Sequence, residues 1–424
     1  MTETTATLTV PRRIYYGWVI VGVAALAMVG TLPGRTQGLG LITEPLLADL
    51  GIGRVAYAQV NLFATLVGAL FAYGVGSLLD RRGSRVVLTA IAILLGLVVL
   101  AMSQVSGVLP LLVAVTFTRG LGQTALSIVS LAMVGKWFQR RLTWAMGIYA
   151  LAMSIGFMIA FPIVGAVVLA HGWRLAWAAI GLALVAGLAP MAWTLVRATP
   201  DTIGEVMDGD RAARPEAVQN PAPVAAGERL AASATLAEAL RSPAFWVFGL
   251  ASSMYGLVAS GIGLFNEAIL AERGFEPGVY HTALAVTAIT GLAGNIVGGA
   301  WAERGSFRPV LVSSMVMLSA ALAGLPHVAT PMHVMAQAVV MGVAGGFVMV
   351  VFFSFWGRAF GDGHLGRIQG AAQVMTVLGS AVGPLALAWC VEATGSYAVA
   401  FYVLAAMVAA LALGAVLVRM PRRA

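Results

Sequence analysis

Twelve apolar stretches dominate this chain. They fall near 15–43, 55–79, 85–106, 109–134, 142–170, 174–197, 243–268, 278–301, 308–326, 332–357, 367–392 and 397–418. A membrane-spanning helix takes roughly 20 apolar residues, and a spanning strand about ten that alternate strictly, which these do not. Only 10% of the 424 residues are charged, against about 25% in a typical soluble domain. That is too little polar surface to wrap a water-soluble core, so the chain reads as an all-α membrane protein with twelve transmembrane helices. The first stretch is too long for a cleaved signal peptide, and Pro33-Gly34-Arg35 interrupts it. Cys390 is the single cysteine, so no intramolecular disulfide staples the fold. P-loop, zinc-ligand and catalytic-triad spacings are absent from the sequence, so neither an enzyme nor a cofactor or metal is expected.

The net charge of +8 sets orientation rather than suggesting a nucleic-acid partner. With both termini in the cytoplasm, only Arg54, Arg174 and Arg273 of the 25 Lys and Arg residues fall outside, and Arg35 and Arg119 fall within spans. The rest lie inside, as the positive-inside rule requires. A single Lys with abundant Ala, Gly and Arg points to a GC-rich bacterial genome, hence an inner membrane. Residues 1–14 are then a cytoplasmic tail, 15–197 and 243–419 two six-helix bundles, 198–242 a cytoplasmic linker and 420–424 a short tail. The linker is rich in Pro, Asp and Glu. Near its end, Thr235 and Glu238 have the spacing of a capping box, which would start a short helix.

A shift of 223 residues superimposes the landmarks without a gap. Gly76 meets Gly299, Asp80 meets Glu303, Arg81 meets Arg304 and Arg85 meets Arg308; Gly147, Gly156 and Gly172 meet Gly370, Gly379 and Gly395. Two parallel six-span repeats are the simplest account.

The run Gly76-Ser-Leu-Leu-Asp80-Arg81-Arg82-Gly83-Ser-Arg85 resembles the loop signature between helices two and three of the major facilitator superfamily, and Glu303-Arg304-Gly305-Ser-Phe-Arg308 its weaker second copy. The resemblance covers the whole chain. It implies two pseudo-symmetric six-helix bundles (the major facilitator fold) that rock about a central cavity. In that frame Asp80, Arg81, Arg85, Glu303, Arg304 and Arg308 are gating candidates: a carboxylate beside a helix N-terminus or arginines would hold one conformer closed. The alternative is that these arginines merely keep the loop inside. On the eleventh span Gly370, Gly379, Gly383 and Pro384 are similar to a pattern of superfamily antiporters. On the fifth, Phe161 stands where the glycine before Pro162 would be, so antiport does not follow, and the glycines read mainly as close-packing positions.

Charge within the spans carries the functional argument. A basic side chain near the bilayer centre costs about 2.5–3.5 kcal/mol on insertion scales. Arg35 lies in the outer half of the first span and Arg119 near the middle of the fourth, and no carboxylate lies equally deep. An anionic substrate would offset that cost, because the guanidinium fork matches a carboxylate; bonds to backbone carbonyls are the bland alternative. The resemblance places both spans on the central cavity. Tyr15-Tyr16-Gly17-Trp18-Val19 also resembles the opening of the monocarboxylate porter and oxalate/formate antiporter group, which carries a basic residue near Arg35. That group usually has a second basic residue on helix eight, and none is present here.

Gln37, Asn61, Gln123, Tyr149, Asn266 and Gln373 are further candidate substrate contacts, with Tyr255 and Gln337 weighed beside them; such polar residues also join helices. Glu267 is the best acid for proton coupling. Phe352, Phe353 and Trp356 read as core before gate, and Met153 and Met158 as packing. The sequence thus points to a monomeric secondary transporter, in contact with lipid, moving a small organic anion of the monocarboxylate class by alternating access, coupled to H+ or to exchange. The alternatives are a multidrug or neutral-solute exporter, and a transport-dead sensor, against which the short end at Ala424 argues.

Overall fold

The computed structural model describes residues 15–209, 234–361 and 364–419. Twelve of its helices are long and apolar enough to cross a membrane: α1 Gly17–Gly34, α2 Arg54–Leu79, α3 Arg81–Met102, α4 Val108–Trp137, α5 Trp144–His171, α6 Trp173–Leu195, α7 Pro243–Ala271, α8 Pro277–Arg304, α9 Phe307–His327, α10 Pro331–Phe360, α11 Arg367–Thr394 and α12 Ala398–Leu417. Strands are absent among the described residues.

The repeat read from the sequence recurs in the packing. In the first half α1 packs on α5, α2 on α4 and α3 on α6; in the second, α7 packs on α11, α8 on α10 and α9 on α12. The halves meet where α5 lies against α8 and α2 against α11. Two repeat-related glycines have a shared backbone reason. Gly172 and Gly395 end α5 and α11 at φ 84° and 75°, where a side chain would be strained.

Arg81, Arg82, Lys136, Arg140 and Arg141 mark one end of the bundle, called here the basic face. The Tyr15-Tyr16 opening pins the start of α1 there. The Tyr15 hydroxyl donates to the Trp137 carbonyl at the end of α4, and the Tyr16 hydroxyl to the Leu195 carbonyl at the end of α6, both at 2.7 Å. These carbonyls are among the groups a helix C-terminus leaves unpaired.

The start of the linker lies across this same face. Glu205 accepts the Tyr16 N–H at 3.2 Å, and Asp208, in the left-handed region at φ 64°, accepts backbone N–H groups just before α5. Residues 210–233 of the linker lie outside the described residues. The expected capping box is present: Glu238 donates its N–H to the Thr235 hydroxyl and accepts the Thr235 N–H, opening a helix over Leu236–Arg241.

Two helices depart from ideal geometry beside the site. The first span breaks at Pro33, as the sequence suggests. It narrows to a 3-10 turn over Leu32–Gly34, Arg35 is extended (φ −86°, ψ 149°), and a short helix resumes over Thr36–Gly40. In α4 the turn over Arg119–Leu126 is π-helical, a bulge that recurs at functional sites. Gly34 fits against that bulge because it has no side chain; a Cβ there would collide with the Thr118 carbonyl.

Candidate functional site

A cavity of about 280 Å³ lies between the halves. The first half contributes Arg35 and Gln37 from the broken part of α1, and Ala150, Met153, Ser154, Phe157 and Phe161 from α5. The second contributes Tyr255 from α7, then Thr287, Gly291 and Asn295 from α8, and Gly342, Gly345, Gly346 and Met349 from α10. The glycines let α8 and α10 approach closely: a Cβ at Gly346 would strike the Gly291 carbonyl. A smaller cavity of about 110 Å³ adjoins it, sharing Gln37, Tyr255, Leu284 and Thr287 and adding Asn266 and Gln337.

The larger cavity reaches toward the basic face, since Ala150 lies roughly 10 Å along α5 from its basic end. At the other face the halves close on each other. The Tyr280 hydroxyl lies within reach of the carbonyls of Gly263 (3.3 Å) and Gln37 (3.4 Å), either of which can accept its one proton. Gly40 lies against the Gly263 carbonyl, and Gly165 of α5 lies against the His281 ring of α8. Here Glu44 and Arg54 also form a bidentate ion pair, at 2.6 and 3.2 Å.

Among the described residues, Arg35 is the one charged residue lining either cavity. Its Nε donates to the Thr31 hydroxyl at 2.6 Å, its Nη2 reaches the Met28 sulfur at 2.8 Å, and its guanidinium lies over the Phe157 ring at 5.1 Å from the centroid. Phe157 in turn stacks on Phe161 at 5.4 Å. The charge is therefore held by a hydroxyl, a thioether and a ring face, with no carboxylate partner among the described residues. Its remaining donor capacity is available to an anion.

The other deep arginine is placed differently from the expectation. Arg119 is 3% exposed and does not line either cavity. Nη1 donates to the Thr36 hydroxyl (2.9 Å) and the Gln123 side-chain oxygen (2.7 Å), and Nη2 donates to the Asn61 side-chain oxygen (2.8 Å). Asn61 completes the knot by donating to the Tyr57 carbonyl at 3.0 Å. Arg119, Asn61 and Gln123, read from the sequence as candidate substrate contacts, line neither cavity and tie α4 to α2 and to the segment after α1. Neutral acceptors take both Nη groups of the guanidinium, while its buried Nε has no partner among the described residues.

Tyr149 is also turned inward, its hydroxyl 2.9 Å from that of Ser130. Gln373 is exposed on α11 and lines neither cavity. Gln37, Asn266, Tyr255 and Gln337 line cavities. Asn266 follows Phe265, where α7 leaves helical geometry (φ −112°, ψ 16°). Glu267 is half-buried beside it but outside both linings.

The gating candidates divide. The Asp80 side chain lies outside the described residues, while Arg81, Glu303 and Arg304 are exposed. Arg85 and Arg308 contact their own halves. Arg85 stacks on Trp193 of α6 at 4.3 Å, and Arg308 donates to the Val418 carbonyl after α12. These two repeat-related arginines fasten the first helix after each loop to the last helix of its half. Phe352 and Trp356 are buried and Phe353 is 65% exposed; Trp356 packs with Phe245 and Phe355.

The sequence reading missed Phe157, Ser154, Thr287 and Asn295 as cavity walls and treated Met153 as packing. One signal was present. Phe161, noted as the departure from the glycine–proline pattern, fills the position where it supports Phe157 beside Arg35.

Comparison with known proteins agrees with this architecture. A bacterial homolog of the human lysosomal transporter Spinster, solved inward-facing and occupied, superimposes with a TM-score of 0.71 at 12% identity, covering 96% of this chain and 97% of that one. The nucleoside transporter NupG superimposes with a TM-score of 0.71 at 13% identity, covering 95% and 98%. At such identities these likenesses speak to the fold. No curated protein sequence matches this chain. The family model described as Major Facilitator Superfamily matches residues 15–267 and 248–424. Twelve spans, two repeated halves around a central cavity and this match establish that the chain is a membrane transporter of the Major Facilitator Superfamily.

Proposed function

We propose that this transporter carries a small organic anion of the monocarboxylate class by alternating access, coupled to H+ or to exchange, in the manner of the monocarboxylate porter and oxalate/formate antiporter group. The observation that carries the reading is Arg35: a guanidinium in the wall of the central cavity with no carboxylate among its partners. A carboxylate docking there gains a charge-assisted, bidentate contact and neutralises a charge that is costly in a membrane. Among the described residues the smaller cavity is lined by no cation, which disfavours a dianion held at both ends.

In this reading the basic face is cytoplasmic in a bacterial inner membrane, both termini lie on that side, and the conformer is inward-facing. Residues 15–197 and 243–419 rock as two bodies joined by the 198–242 linker, in a chain that works as a monomer. Glu267 remains the candidate for proton coupling, beside the closed face. The gating pair would involve Asp80 and Arg81 in one loop, and Glu303 and Arg304 in the other.

The test is a thermal-shift screen of the purified protein against carboxylates, sugars, nucleosides and lipophilic cations. A ligand at 100 times its Kd adds about 2.7 kcal/mol. A carboxylate should shift the wild type and not Arg35→Gln. If only neutral or cationic compounds shift it, and Arg35→Gln responds equally, the anion reading gives way to the neutral-solute exporter.

A further inference from the structure

Two adjoining cavities, one with a guanidinium and one lined by neutral amides, imply a substrate with two different ends. We infer that the smaller cavity is a subsite for an uncharged hydrogen-bonding group. The cargo is then a carboxylate that bears a hydroxyl, carbonyl or carboxamide several bonds away from its carboxyl. The inference rests on the anion reading above and narrows it.

The smaller cavity, about 110 Å³, has the liquid volume of roughly three or four waters, room for a short polar tail. Its polar lining is neutral throughout: Gln37, Tyr255, Asn266, Thr287 and Gln337. Gln337 spends one N–H on the Ala321 carbonyl at 2.8 Å, which fixes the amide and leaves its oxygen as an acceptor. The Asn266 side chain makes no hydrogen bond among the described residues, so its amide offers both a donor and an acceptor. The backbone break at Phe265 immediately precedes it.

Tyr255 belongs to both cavities, as do Gln37, Leu284 and Thr287, and these shared residues mark the neck where the two meet. The Tyr255 ring lies over Gly345, where any Cβ would collide with the phenol oxygen. The missing side chain at 345 therefore leaves the space in which the Tyr255 hydroxyl stands. A carboxylate at Arg35 that extends past this neck meets amides of mixed donor and acceptor character. A second negative charge would find no cation there. A purely apolar tail would leave the amides unpaired, and sites built to hydrogen-bond reject analogues lacking the group.

The experiment compares hexanoate, 6-hydroxyhexanoate and adipate as ligands of the full chain, by thermal shift and by competition for uptake into proteoliposomes. The expected order is 6-hydroxyhexanoate tightest, by about tenfold over hexanoate, with adipate weakest. Asn266→Leu should erase the preference for the hydroxyl while binding hexanoate at least as tightly as the wild type, which also shows that the variant folds. Thr287→Val, which keeps side-chain shape, should reduce the preference without removing it. Hexanoate binding as tightly as its hydroxylated analogue, or Asn266→Leu weakening both equally, overturns the subsite. If Arg35→Gln binds both acids with wild-type affinity and still prefers 6-hydroxyhexanoate, the subsite stands and the anion reading fails. If no carboxylate binds the wild type, both fall.

Discussion

The carboxylate of Asp208 accepts the backbone N–H of Arg140 at 2.9 Å, and with it those of Gln139 (3.1 Å) and Arg141 (3.0 Å). One residue at the start of the linker thus satisfies three donors ahead of α5, while Glu205 three residues earlier satisfies the Tyr16 donor ahead of α1. Burial works to raise the Asp208 pKa, but the three N–H donors and the nearby Arg140 charge outweigh it, and the net shift is downward. A carboxylate with a depressed folded pKa stabilises above its unfolded pKa of about 3.9 and loses that contribution as pH falls through the lower folded value. Asp208→Ala should therefore cost about 1–2 kcal/mol near neutral pH. The difference from wild type should shrink progressively below about pH 4. Thermal midpoints at a series of pH values check this; a gap that widens on acidification contradicts it.

Arg119 and Arg35 should separate stability from binding. Arg119→Leu strands the acceptors of Thr36, Asn61 and Gln123, at about 1–3 kcal/mol for each buried group. Its thermal midpoint in detergent should fall well below that of Arg35→Gln. Any folded fraction should keep carboxylate affinity within a fewfold of wild type. A large loss of affinity with an unchanged midpoint would return Arg119 to the substrate site.

Phe157 should contribute through its ring face. The guanidinium lies 5.1 Å from the centroid, a contact worth about 0.5–2 kcal/mol. Phe157→Leu keeps bulk and removes that contact, so the Kd for a carboxylate should change by no more than about thirtyfold. The effect should vanish in an Arg35→Gln background. Independent, additive losses would show that Phe157 acts by shape alone.

Closure of the face opposite the basic one depends on Gly40 lying against the Gly263 carbonyl and the Tyr280 hydroxyl. Gly40→Leu inserts a side chain where there is no room for a Cβ, and should populate the conformer opened at that face. A cysteine introduced at Ser154, which lines the cavity, reports this once Cys390 is replaced by Ser. Impermeant maleimide should label it from the basic side in the parent, and increasingly from the other side in Gly40→Leu. Unchanged labelling would place the closing contact elsewhere.

The fold was legible because its signals are local or periodic. Pro33 breaks the first span, Thr235 and Glu238 cap a helix, and Gly172 and Gly395 end matching spans. The site was legible in part. Arg35 and Arg119 look alike in sequence, each a deep cation without a deep acid. What distinguishes them is that three acceptors from separate parts of the chain, Thr36, Asn61 and Gln123, converge on one and not on the other. That convergence depends on helix rotation and on the π-turn in α4, neither of which leaves a periodic trace. For the same reason Phe157 and Ser154 were invisible as cavity walls: α5 is apolar on every side, so its sequence does not mark the side that meets the cavity.

The knot around Arg119 has an electrical consequence. Because it joins the segment carrying Arg35 to α2 and α4, the Arg35 charge travels with the first half whenever that half reorients. On the proposed anion reading without a co-transported proton, a bound monoanion would cancel that charge, so the loaded and unloaded carriers would differ by one elementary charge. Membrane voltage acts on a charge in proportion to the fraction of the field it crosses, with about 2.3 kcal/mol per 100 mV for the full field. Voltage would then bear more on the return of the empty carrier than on the loaded stroke. Exchange between two anions, which never passes through the empty form, would be nearly blind to it, and flux measured at clamped potentials distinguishes the two.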